Sequence, residues 1–109
     1  MAGTFAPKVM GDGQLATTKG TLYTVPSVTS AYVKTFTVFN TNAATQTVII
    51  YLKPGATSRK VIQLSLAQNE SANVVDLIGQ FILETGDLIE GETTTTTAVD
   101  YFIAGVEET

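Results

Sequence analysis

The sequence contains no cysteine, no histidine and no tryptophan. Without cysteine there is neither a disulfide framework nor a thiol nucleophile. Without histidine the commonest general base and the commonest transition-metal ligand are missing. The serines Ser27, Ser30, Ser58, Ser65 and Ser71 therefore have no imidazole to activate them, and a Ser-His-Asp arrangement cannot be built. Proline is limited to three residues and charged residues to 15%. The longest apolar run, Val48-Ile49-Ile50-Tyr51-Leu52, falls far short of the roughly 20 residues that span a bilayer. The first ten residues lack the long apolar stretch of a signal peptide. The expectation is a soluble, non-enzymatic chain with no cofactor, no metal and no export signal of its own.

What is present describes one globular domain: 109 residues, 44% of them hydrophobic. Net charge is −4, which argues against a bulk nucleic-acid binder, since such a protein normally carries a basic stripe. The charge is distributed unevenly along the chain. Residues 1–60 hold all six cations (Lys8, Lys19, Lys34, Lys53, Arg59, Lys60) and one acid, Asp12, whereas residues 61–109 hold nine acids and no cation. In a β-sandwich the two halves interleave, so this polarity need not survive as two faces. If it does survive, like subunits could dock through opposite charges, or the basic half could meet an acidic scaffold.

Strand signals dominate. Threonine occurs 19 times, and Val, Ile, Tyr and Phe fill most of the periodic segments. Tyr32–Asn40 alternates, with Val33 out of phase and neither face purely polar. Gln46–Lys53 carries the continuous apolar run of a central strand. The cluster Asn40-Thr41-Asn42-Ala43-Ala44-Thr45 between them predicts a hairpin. Lys60–Ala67, Ala72–Leu77 and Ala98–Gly105 read as further strands, and Gln14–Val25 as two short strands or one broken at Gly20. Ile78–Leu83 fits either a strand or a single helical turn. The unbroken run Thr93 to Thr97 reads as a mobile loop tip. Turn signals recur every 8–12 residues, which predicts an all-β, antiparallel β-sandwich of jelly-roll type over residues 14–109.

Residues 1–13 show no periodic pattern and read as an extended N-terminal arm. Phe5, Pro7, Val9 and Met10 are its candidate partner-binding residues, because such arms either stay disordered or order on a neighbouring subunit by adding a strand to an edge. Gly11-Asp12-Gly13 is a Gly-x-Gly with no helix behind it, so it reads as a hinge after the arm and not as a phosphate loop. Glu84, Asp87, Glu90 and Glu92 crowd one stretch, but their spacing matches no calcium loop, which favours a solvated acidic rim.

The stretches Thr21-Leu22-Tyr23-Thr24-Val25-Pro26, Val38-Phe39-Asn40-Thr41-Asn42 and Leu83-Glu84-Thr85-Gly86-Asp87-Leu88-Ile89, in this layout over residues 14–107, resemble small β-sandwich structural proteins of tailed bacteriophages. That resemblance implies a virion component, commonly a decoration or cement protein that stabilises the head by bridging capsomers. It also implies a homotrimer, the major capsid protein as partner, no nucleic-acid or membrane partner, and a place on the capsid surface after synthesis in the host cytoplasm. It transfers no catalytic residue. The alternatives are a tail, neck or fibre-attachment protein of the virion, and a carbohydrate-binding module using Tyr23, Tyr32, Tyr51 or Tyr101.

Overall fold

The alternating segments form nine strands and one short helix in a computed structural model that describes residues 4–109. In chain order these are β1 (Phe5–Gln14), β2 (Gly20–Thr24), β3 (Ser30–Asn40), β4 (Gln46–Lys53), β5 (Arg59–Leu66), β6 (Ser71–Asn73), α1 (Val74–Ile78), β7 (Phe81–Leu83), β8 (Leu88–Thr93) and β9 (Val99–Glu108). Sheet A has the order β1-β9-β3-β6, with β7 also on β3, and sheet B the order β2-β8-β4-β5. Strands β6 and β7 pair with opposite ends of β3, at Thr37–Phe39 and Ala31–Val33, and so form one edge strand interrupted by α1. Counted that way, two four-stranded antiparallel sheets interleave in the order of a jelly roll, the fold class that the strand spacing predicts.

The two sheets enclose Leu15, Phe36, Val38, Val48, Ile50, Ile89, Val99 and Ile103, all essentially without solvent contact. Strand β3 explains its own broken alternation. Its register with β9 shifts between Val33 and Thr35, and this bulge turns both Val33 and Phe36 inward. Strand β9 lies so close to β3 that a Cβ on Gly105 would stand 2.0 Å from the carbonyl oxygen of Tyr32.

Several expectations are corrected by the structure. The described part of the arm is strand β1, paired antiparallel with β9 from Phe5↔Glu108 to Gln14↔Asp100. Reciprocal bonds between Thr4 and Thr109, 2.8 and 3.0 Å, extend the ladder. Residues 4–13 thus belong to the sandwich; residues 1–3 of the expected arm lie outside the described residues. An edge strand tolerates Pro7 on its unpaired side, and a register shift between Val9 and Gly11 erases the alternation that would have marked a strand. Gly11 is no hinge: its missing side chain admits the Leu22 carbonyl, 2.9 Å from where a Cβ would sit.

Strands β3 and β4 do not form a hairpin, because they belong to different sheets. Asn40, fully buried, fixes the crossing: its Nδ2 donates to the carbonyls of Ala44 (3.0 Å) and Leu66 (2.9 Å), and its Oδ1 accepts from the Asn42 amide (2.8 Å). The strand predicted at Ala72–Leu77 ends at Asn73, whose Oδ1 caps α1 by accepting from the Val75 amide at 3.1 Å. The threonine run is anchored. Thr93 lies in β8 and donates to the Thr47 carbonyl, while the Thr95 amide donates to buried Gln46 Oε1 at 2.9 Å.

The close approach at Gly105 generates a test. Gly105→Ala must displace a β3 backbone carbonyl, so it is expected to cost more than about 2 kcal/mol in urea unfolding, whereas Gly55→Ala, with open space around it, pays only the strain of its positive φ. Equal losses at the two positions would refute the packing role given to Gly105.

Candidate interaction surface

The alternation that turns Val33, Phe36 and Ile103 inward leaves a second set of side chains on the outer face of sheet A. One row crosses four strands in register: Pro7 on β1, Val106 on β9, Tyr32 on β3 and Ile82 on β7. On one side of it, toward the chain termini, stand Phe5, Glu108 and Ser30. On the other stand Val9, Ala104 and Thr35, with Lys34 in the β3 bulge. Phe5 (62% exposed), Val9 (55%) and Ile82 (60%) are large apolar residues left to solvent. Phe5 leans over the sheet to within 6.3 Å of the Tyr32 ring, centroid to centroid, and the two enclose a small hollow with Lys34 and Val106. Farther along the same face are Phe102 and Phe39, separated by Thr37.

The outer face of sheet B is different in kind. It carries Thr21, Thr47, Ile49, Tyr51, Lys53, Gln63, Leu88, Glu90 and Glu92. Tyr51 donates to Glu92 at 2.7 Å, Ser58 donates to Glu90 at 2.7 Å, and the Lys19 ammonium sits 4.7 Å from the Tyr51 ring centroid. Ile49 stands between Glu92 and Gln63, and Leu88 between Lys53 and Thr24, so this face offers no apolar row.

Of the four residues predicted to bind a partner, Phe5, Pro7 and Val9 lie together on the outer face of sheet A. Met10 does not: beside the β1 bulge it turns inward and is buried in the core. Sequence reasoning missed Tyr32, Ile82 and Val106, which complete the row from three other strands. The one signal for them was that neither face of Tyr32–Asn40 is polar. The acids of the 84–92 stretch separate. Asp87 accepts from the amides of Glu84 (2.9 Å) and Gly55 (3.1 Å), while Glu84 accepts from Ser30 Oγ at 3.0 Å. Among the described residues no group of three or more potential metal ligands converges. An open depression near the chain termini is lined by Val28, Thr29, Ser30, Glu84, Thr85, Glu108 and Thr109.

Three tyrosines donate to glutamates. Tyr23 reaches Glu107 (2.5 Å), Tyr32 reaches Glu108 (2.6 Å) and Tyr51 reaches Glu92. The Tyr23 contact joins sheet B to sheet A inside the sandwich, and Lys8 closes it with an ion pair to Glu107 at 3.4 Å. Burial first, and then the bond to Glu107, hold the Tyr23 phenol far above its ordinary value. The bonds to Glu108 and Glu92 raise Tyr32 and Tyr51, and burial raises Tyr101.

No family model matches this chain, and no curated protein matches it either. A solved structure does share its fold: a Bacillus endospore appendage, described as belonging to "a novel family of disulfide-linked pili". The likeness has a TM-score of 0.54 at 20% identity and covers 98% of this chain and 89% of that one. This overturns the expectation of a phage capsid decoration protein, since the matching structure is a bacterial pilus and not a virion component. The trimeric cement model and the capsid-surface location lose their support with it. The physical reason is plain: segments such as Leu22–Pro26 and Leu83–Ile89 mark strand ends and turns that any jelly roll of this size requires.

Because the folded state keeps the Tyr23 phenol protonated above its unfolded pKa of about 10, its contribution is complete below pH 10 and is lost as the pH rises through the folded value. Unfolding free energy is therefore expected to fall above about pH 10. Tyr23→Phe should be less stable by about 1.5–3 kcal/mol at pH 7, since buried Glu107 loses a donor, and its alkaline decline should be shallower. Parallel declines in the two proteins would show that Tyr23 does not set the alkaline limit.

Proposed function

We propose that this protein is a structural subunit, without catalytic activity, that builds an assembly by associating with copies of itself. One observation carries the reading: an apolar row continuous over four strands of one sheet, on a domain whose other outer face carries no such row. The fold shared with a pilus structure supports a surface-exposed structural role. That pilus is described as disulfide-linked; this chain has no cysteine, so its association is non-covalent and reversible by dilution.

Light scattering coupled to size exclusion tests this directly. The mass is expected to rise above the 11.5 kDa of one chain as the concentration approaches about 1 mM, where a contact worth about 4 kcal/mol is half-formed. A mass that stays at one chain throughout, with no ordered assemblies under the electron microscope, would refute self-association.

A further inference from the structure

We propose that the outer face of sheet A packs on the same face of a second copy, about a two-fold axis lying along the Pro7–Val106–Tyr32–Ile82 row. The inference rests on the self-association argued above and adds its geometry.

Rotation by half a turn about that axis lays each strand over its own counterpart, reversed in direction. Residues one row to either side of the axis then exchange places. On β1, Phe5 of one copy falls on Val9 of the other. On β3, Ser30 falls on Thr35. On β9, Glu108 falls on Ala104, one strand from Lys34 in the β3 bulge, so each Lys34 meets the Glu108 carboxylate of the second copy. Lys34 makes no ion pair among the described residues of its own chain. The same rotation places Val106, Tyr32 and Ile82 against themselves. Apolar groups thus meet apolar groups, and the one cation beside the row meets an acid, twice over.

The other two-fold arrangement is disfavoured. An axis along β9 would set Glu108 on Glu108 and bury Lys34 against Val9, stacking like charges and stranding an ammonium. Aligned sheets pack about 30° off parallel, which moves residues one row from the axis by about 3 Å on the middle strands β9 and β3 and about 5 Å on the outer ones, so the Lys34–Glu108 contact on the middle strands survives the twist. The row lies near one end of the strands, so only about three residues on either side of it overlap; four strands about 4.8 Å apart over about 20 Å present on the order of 400 Å² in projection. That is about half of the roughly 800 Å² per partner of a standard interface, which fits a weak, reversible contact.

Sedimentation equilibrium of the full chain and two charge reversals test the geometry. Lys34→Glu and Glu108→Lys are each expected to weaken self-association at least about tenfold. An equimolar mixture of the two variants should restore it, because both cross-copy pairs become attractive again. Association unchanged in both variants would overturn the face-to-face arrangement while leaving self-association standing. A protein monomeric at every concentration would overturn both. Glu108→Lys also removes the acceptor of the Tyr32 hydroxyl, so circular dichroism must show a folded chain. Should it not fold, Val106→Cys in this cysteine-free background is expected to be captured as a dimer by a short bis-maleimide, and Thr47→Cys, on the outer face of sheet B, is not. Equal capture at the two positions would overturn the proposal.

Discussion

Strand β9 organises sheet A, because both ladders that hold β1 and β3 in that sheet belong to it. These ladders join residues near opposite ends of the chain, Phe5 with Glu108 and Thr4 with Thr109, so their loop-closure entropy falls due before much of the sheet can form. Register is held by shape. Only a residue without a side chain fits over the Tyr32 carbonyl, and Gly105 is that residue. A slip of one position would bring a side chain onto the carbonyl, turn Val106 inward and expel Glu107 from its contact with Tyr23 and Lys8. The outer row therefore exists only because the inner face of β9 is locked.

Polar groups inside the sandwich follow the same economy. Asn40, Gln46, Thr93 and Glu107 are all buried, and among the described residues no buried side-chain polar atom lacks a partner. Each closes a place where the chain changes sheet or where the sheets meet at their ends, and in these places backbone ladders cannot supply the bonds. The charge asymmetry of the sequence is dissolved by the same topology. Strand β9, with Asp100, Glu107 and Glu108, runs between β1 with Lys8 and β3 with Lys34; β8, with Glu90 and Glu92, runs beside β4 with Lys53. Basic and acidic stretches become neighbours in the sheet instead of opposite poles, which leaves Lys34 and Glu108 on one face.

The long central strands were legible, Gln46–Lys53 from its continuous apolar run and Ala98–Gly105 from its alternation, although β9 runs on to Glu108. What was not legible shares one cause: a local pattern compatible with two partners. The turn cluster after Asn40 has the same residues whether the chain returns in its own sheet or crosses to the other, and only the buried Leu66 carbonyl, far away in sequence, decides. Asn73-Val74-Val75 reads as strand until Asn73 caps a helix. Strand β1 was invisible because an edge strand with a proline, two glycines and a bulge keeps no alternation. The rest of the row lay on strands whose adjacency is a property of the fold.

That adjacency also bears on which surface is open to a partner. Free sheet edges are the usual route to strand addition, yet each edge here is blunted. Strand β1 carries Pro7 and a bulge, β2 is five residues long with a register shift, and β5 begins with Arg59-Lys60 and shifts register opposite Tyr51. The remaining edge is split into β6 and β7, three residues apiece, by α1. Proline, bulges, clustered cations and short strands all oppose pairing with another backbone, and they recur at every edge. The outer face of sheet A carries one cation, Lys34, with Glu108, Asp12 and Asp100, and none of these acids lies in the Pro7–Val106–Tyr32–Ile82 row. With the edges guarded and no cysteine to weld neighbours together, the proposed association would rest on a face of modest area, and its strength would grow with the number of contacts engaged at once.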